Sequence, residues 1–448
     1  MTDDRMNSLE QVAREQNYYP VHLSEMNKKN HVTATRDIYN EQGILVVRKG
    51  APIDAATADR ILRFRLVDPL MEMVRIEKAI SLDDLGREFI LTIDSFPDAK
   101  ELHNACRFQK GLDRLVDSYL VDPILLQELT ILRERLPRQF QKTLFCTWLS
   151  ALIASELGVG EDISTEVFLA GLSHDIGFLH ISADIIREIR DLDPPKWRAI
   201  QSHVILGSSL LKKLYGEESV AAKAVLEHHE RCDGSGYPAG KTDVQLDVAG
   251  QITAIADIIQ AVRIDKFSAR GRYLSDFVPL LLMNSDSHLR EIRDAVYSIL
   301  TRCRAVSIRS RSSAEAGAFV EQLLSDGVRL REAASRLDEA EIPRPATVAV
   351  GASRIERILN PVRSMIASSG VVSDEIIGWL ENLRSAPADA PLAELAQLEL
   401  MQGELGWQLE KACRAIDQYA NADGRLDPRT AQLAEISRKI SGCLSGLA

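Results

Sequence analysis

Five of the nine histidines in this 448-residue chain, His174, His180, His203, His228 and His229, fall within a short central stretch. His174 and Asp175 are adjacent at the end of an apolar helical run, Val167, Phe168, Ala170 and Leu172. An imidazole and a carboxylate are costly to bury there without partners, and a metal ion is the simplest partner. Imidazole nitrogen with carboxylate oxygen suits divalent first-row ions, and a carboxylate can bridge two ions about 3.5–4 Å apart in hydrolytic sites. Asp175 is the candidate bridge. His203 lies on a separate predicted helix, His228-His229 closes a third, and Asp257 sits in an apolar helix with Ile252, Ile255, Ile258 and Ile259. Taken singly, His203 reads as an ordinary helix histidine and Asp257 as a hydrogen-bonded carboxylate. Together they predict four helices converging on one metal centre, as bundles commonly arrange. His180, alone in a loop, is left outside it.

The elements that must position these residues follow from periodicity. From about residue 98 to 300 apolar residues recur at helical spacing, as in Leu149, Leu152, Ile153 and Leu157. Pro194-Pro195 suits a helix start and Gly158-Val159-Gly160 a helix end. Ahead of this, residues 1–97 contain a small α+β module. Its apolar run Ile44 to Val47, bounded by Gly43 and Lys49-Gly50, is expected to pair with Val74 to Ile76, with a short helix from Asp54 to Phe64 between them. The domain reading is 1–97, 98–304 and 305–448, the last a helical region. There a Pro-containing stretch, Ile342 to Ala346, precedes a capping box, Ser353 to Glu356, and a second break runs from Ser385 to Pro391. The stripe Leu395, Leu398, Leu405, Leu409, Ala412 and Ile416 is expected to pack within its own bundle.

Composition narrows the function classes. With 45% hydrophobic and 27% charged residues the chain reads as globular. A net charge of −11 argues against nonspecific nucleic-acid binding, although a local basic pocket for a small anion is compatible with it. No apolar stretch approaches the roughly 20 residues of a bilayer span, and Met1-Thr2-Asp3-Asp4 opens no secretory signal, so the expected compartment is the cytoplasm. Six cysteines without a CxxC pair predict reduced thiols.

Four segments carry a resemblance: His174-Asp175-Ile176-Gly177, His203 with Gly207, His228-His229-Glu230-Arg231 running on to Asp233-Gly234-Ser235-Gly236-Tyr237-Pro238, and Ala256-Asp257. Over roughly residues 135–275 their order and spacing resemble the HD-GYP domains, a branch of the HD phosphohydrolases. The resemblance implies a mainly α HD-type helical bundle and metal-dependent hydrolysis of cyclic di-GMP. It also implies two or three iron or manganese ions, reduced here by the departures below to one or two per chain, with His174, Asp175, His203, His228, His229 and Asp257 as ligands. Gly234, Gly236, Tyr237 and Lys266 would meet the nucleotide.

The sequence departs from that family at three places. Lys142 stands where a further ligand histidine is expected, Arg138 where some members carry a glutamate, and Phe178 where a lysine usually follows the HD motif. Lys142 is read either as a solvent-facing helix residue or as a charge that replaces the missing ion or lysine at the substrate phosphate. Two function classes follow: a working phosphodiesterase, with Asp175 and Lys142 as its catalytic groups, or a regulatory domain that binds nucleotide or a protein partner without turnover. The N- and C-terminal regions are the candidate surfaces for a partner or for self-association.

Overall fold

A computed structural model describes residues 2–118, 121–187, 193–267, 270–302, 313–339, 350–385, 390–422 and 428–447. The expected linker Ile342 to Ala346 and Cys303 lie outside the described residues, as does the side chain of Ser353 in the expected capping box. The chain divides into two compact units, Met1–Leu274 with His288–Cys303, and Ser275–Ser287 with Arg304–Ala448. Both are predominantly helical.

Strands in the described residues are confined to the N-terminal module: β1 (Val32–Ala34), β2 (Ile38–Tyr39), β3 (Leu45–Val47) and β4 (Val74–Ile76). The expected pairing of β3 with β4 is not formed. β4 pairs antiparallel with β1, placing Val32 opposite Ile76, while β3 folds back on β2. Locality explains the difference. Asn40 Oδ1 accepts hydrogen bonds from the N–H groups of Gln42 (3.1 Å) and Ile44 (2.7 Å), and Gly43 takes φ +75°, so a tight turn closes β2 onto β3. A short loop closes at less entropic cost than the long one that the other pairing needs. The expected helix after Asp54 spans Ala55–Ile61, with Asp54 accepting from the Thr57 N–H at 2.8 Å.

The site-bearing helices are Pro137–Leu157, Glu161–Ser173, His203–Tyr215, Val220–Glu227 and Val248–Val262. Their ends obey local chemistry. Pro137 occupies the first turn, Gly158 terminates the helix at φ 65°, Ser219 caps by accepting from the Ala222 N–H at 3.2 Å, and Asp247 from the Ala249 N–H at 2.9 Å. The expected helix at Pro194-Pro195 runs Pro194–Gln201, capped by Asp193. In the second unit Leu395, Leu405, Leu409, Ala412 and Ile416 are wholly buried in a core shared with Leu330, Leu380 and Ile440, so the predicted stripe does pack within its own bundle.

The helix Tyr19–Met26, unpredicted from the sequence, docks on the helical core. Tyr19 stacks on His180 with centroids 5.3 Å apart, the Tyr18 N–H donates to the His180 carbonyl at 2.9 Å, and the Tyr19 hydroxyl donates to buried Glu128. Burial pushes Glu128 up to about 8 from an ordinary 4.5, and pushes His22 and His180 down to about 4 from 6.5. The two effects have opposite signs. Neutral His22 and His180 stabilise the fold fully above pH 6.5, and that contribution is lost as pH falls toward 4. Protonated Glu128 stabilises it fully below pH 4.5, and that contribution is lost as pH rises through 8. Stability should therefore peak near pH 6.5, where the two opposing windows meet. Glu128→Gln, which cannot ionise, should gain on the wild type by roughly 2 kcal/mol between pH 6 and 8 in urea unfolding; equal slopes for the two proteins would show that Glu128 is ionised in the fold.

Candidate metal centre

His174 ends the helix Glu161–Ser173, Asp175 begins the next turn, His203 opens its helix, His228 closes Val220–Glu227, and Asp257 projects from Val248–Val262. The six residues proposed as ligands from the sequence meet in one nest. His174 Nε2 lies 3.5 Å from Asp175 Oδ2 and 3.7 Å from Asp257 Oδ1. His203 Nε2 lies 3.9 Å from Asp175 Oδ1, and His229 Nδ1 lies 4.0 Å from Asp257 Oδ2. Each carboxylate thus turns its two oxygens toward two different imidazoles. Gly177 permits this convergence, because a Cβ there would fall 2.0 Å from the His203 carbonyl oxygen.

The backbone sets the imidazole tautomers. Nδ1 of His174, His203 and His228 each meets the carbonyl three residues earlier, Gly171 at 2.7 Å, Ile200 at 2.6 Å and Val225 at 2.7 Å. A carbonyl only accepts, so this network assigns the proton to Nδ1 and leaves Nε2 with a lone pair facing the centre. His203 Nε2 and His228 Nε2 then stand 3.3 Å apart, lone pair to lone pair, and buried His174 Nε2 has no hydrogen-bond partner. Burial holds His203, His228 and His229 below the ordinary imidazole value, with neighbouring imidazoles adding to the effect, so a proton does not relieve the contact. A divalent cation would. The donor atoms of His203, His228 and His229 all lie within 4.8 Å of one another, close enough to share one ion. The residues present therefore fit a metal ion.

The loop after His229 is built by Glu227, Glu230 and Arg231, to which the sequence alone assigns no role. Buried Glu230 accepts from the N–H groups of Ala239 (2.6 Å), Gly240 (3.0 Å) and Lys241 (3.0 Å), and Arg231 Nη1 donates to the carbonyls of His228 and Glu230. Glu227, one turn earlier, takes the Lys241 ammonium at 2.6 Å and the Asp247 N–H at 2.9 Å. The adjacent His-His-Glu-Arg was visible in the sequence, but nothing local showed that the glutamate faces its own backbone. Gly236 serves that loop: a Cβ there would sit 2.4 Å from the His229 carbonyl oxygen, so its space is filled by the chain's own backbone. Gly234 is buried with φ +73°. Tyr237 stacks on His229, centroids 4.6 Å apart at 22°. Glu230→Ala would strand three backbone donors at once, each costing about 1–3 kcal/mol if left dry. The variant should unfold at least ~3 kcal/mol more easily in urea and bind metal less tightly; an unchanged midpoint would mean that water replaces the carboxylate.

At the departures from the family pattern, Lys142 is neither exposed nor free. Its ammonium donates to Asp265 Oδ2 at 2.8 Å with 14% of the side chain exposed, and Arg138 holds the other oxygen at 2.6 Å. The simple solvent-facing reading of Lys142 is thereby corrected. Cys146, one turn along the same helix, feels Asp257 and Asp175, which add to burial in pushing its thiol well up, so this face of the helix borders the nest. Asp265 and exposed Lys266 lie on a π-helical turn, Arg263–Phe267, directly after the Asp257 helix. That turn is anchored by Arg263, which grips buried Asp98 through two bonds of 2.7 Å. Phe178 stacks on His203 at 4.3 Å and 15°, packing the ring that carries a ligand atom. His180 lies with Tyr19, outside the nest.

Comparison with known proteins places this geometry. The HD domain family model matches residues 127–289, a segment holding every residue of the nest. Residues 127–289 are an HD domain. Over 110 residues the chain is 37% identical to 3'3'-cGAMP-specific phosphodiesterase 1 of Vibrio cholerae, covering 25% of this chain and 25% of that protein. It is 35% identical over 116 residues to a cyclic di-GMP phosphodiesterase of Thermotoga maritima, covering 26% and 32%. A cyclic di-GMP phosphodiesterase of Pseudomonas aeruginosa matches at 26% over 160 residues, covering 36% and 39%. The chain thus spans between a quarter and two fifths of the length of these relatives. The HD-GYP resemblance seen in the sequence holds for this HD domain.

Proposed function

We propose that the HD domain is a metal-dependent phosphodiesterase that hydrolyses cyclic di-GMP in second-messenger signalling. The observation that carries the reading is the pair of facing, unprotonated Nε2 atoms of His203 and His228, 3.3 Å apart beside two carboxylates. When bound, iron or manganese supplies Lewis acidity toward the phosphoryl oxygens and a nucleophile at neutral pH. His174, Asp175, His203, His228, His229 and Asp257 would hold that ion, with one expected to bind firmly per chain. Asp175, whose two oxygens face His174 and His203, would help to hold it. Lys142, fixed by Asp265, contributes positive charge toward the diester, and Lys266 on the following turn can reach a second phosphate of the nucleotide. Tyr237 covers His229 and would meet the ligand there, with Gly234 and Gly236 shaping the loop beneath it.

Where the reaction takes place is part of the same reading. Among the described residues no helix is long and apolar enough to cross a membrane, and the proposed setting is the cytoplasm. The relatives' names divide between cyclic di-GMP and 3'3'-cGAMP. Chromatography of products from each dinucleotide, with and without added manganese under anaerobic conditions, tests the reading. Cyclic di-GMP should disappear faster, giving the linear dinucleotide or GMP; binding without any product would favour the regulatory alternative.

A further inference from the structure

The geometry points to Trp197 as a stacking platform for a purine base of the dinucleotide, a role that rests on the phosphodiesterase reading above. Trp197 lies on the helix Pro194–Gln201 with 40% of its surface open to solvent. A tryptophan is large and costly to leave in water, and singly exposed apolar side chains mean little by themselves. Its neighbours give this one meaning. Its ring meets Tyr237 at 6.1 Å and 74°, Tyr237 stacks on His229 at 4.6 Å, and His229 meets His203 at 5.1 Å. A continuous run of rings therefore leads from solvent to the imidazoles of the metal nest. The same short helix supplies the Ile200 carbonyl that fixes His203, so Trp197 is held in register with the site.

A cyclic dinucleotide is a phosphodiester flanked by flat purines. With a phosphate at the nest, a base must lie to one side of it, and the aromatic run marks the side that offers π surface. Base stacking tolerates differences in hydrogen-bonding edge, since every base has a π face. Trp197 would thus set affinity for purine dinucleotides over simple diesters, without touching the reacting atoms.

The test compares full-length wild type, Trp197→Phe and Trp197→Ala on cyclic di-GMP and on bis(4-nitrophenyl) phosphate, which has no purine. Loss of one stacked base corresponds to roughly 5- to 150-fold. The ratio of kcat/KM for cyclic di-GMP over the simple diester should fall by about tenfold or more in Trp197→Ala, chiefly through KM, and be partly rescued in Trp197→Phe. A parallel fall on both substrates would make Trp197 a structural residue and overturn the proposal, as would an unchanged ratio. If the wild type hydrolyses neither substrate, the phosphodiesterase reading fails separately. Calorimetric binding of cyclic di-GMP to the same three proteins then decides the stacking role, with equal affinities sinking it.

Discussion

Replacing His228 with alanine should strip the metal from the protein, whereas replacing His180 should leave it bound. His228 sits with its Nδ1 tied to the Val225 carbonyl and its Nε2 turned on His203 at 3.3 Å, so its loss removes a donor and opens the ring cluster. Altering even the groups that orient a metal ligand typically costs 10- to 100-fold in affinity, and removing a ligand should cost at least ~100-fold. His180 is also a histidine, but it is only partly buried, stacks on Tyr19 and has no atom in the nest. Elemental analysis of folded protein after gel filtration separates the two. Equal metal loss from both variants would show that the centre is misplaced.

Asp98→Ala should destabilise the first unit by about 3–5 kcal/mol, the usual result of removing one member of a buried ion pair. Asp98 is 2% exposed, and its oxygens take Arg263 Nε and Nη2 together with the Leu274 N–H, all at 2.7 Å. Without it the guanidinium stays buried over the Phe96 ring, 5.1 Å from the centroid, with its charge uncompensated. Arg263 begins the π-helical turn that carries Asp265 and Lys266, so the damage should reach substrate binding as well as stability. Urea unfolding followed by circular dichroism measures the first effect, and the KM of the surviving folded enzyme the second. A loss below about 1 kcal/mol would mean that water or a neighbouring carboxylate replaces Asp98.

Much of this site was legible because its chemistry is local in sequence. His174-Asp175 and His228-His229 announce themselves as adjacent pairs, and Asp257 stands out as a charge within an isoleucine-rich helix. What remained hidden depends on distant partners. Asp265 meets Lys142 across more than a hundred residues, and Asp98 meets Arg263 across a still longer interval, with no periodicity to betray either pair. The helix Tyr19–Met26 escaped notice because its 8 residues are too few to show a clear helical period and its binding surface, His180 and Glu128, lies far along the chain. The β3–β4 pairing failed for the opposite reason. Two apolar runs match in composition, but the turn chemistry of Asn40 and Gly43 selects a nearer partner.

Lys142 links these lessons to the metal count. Lys142 and Arg138 together outnumber the single carboxylate of Asp265, leaving net positive charge on the helix face beside Cys146, where a second cation would be repelled. The most direct measurement is therefore a titration of metal-free protein with manganese under anaerobic conditions, recording bound metal and cyclic di-GMP turnover on the same samples. Turnover should be absent without metal and reach its maximum as one ion per chain binds. Full turnover by the metal-free protein, or activity that begins only as a second tight ion enters, would contradict the account.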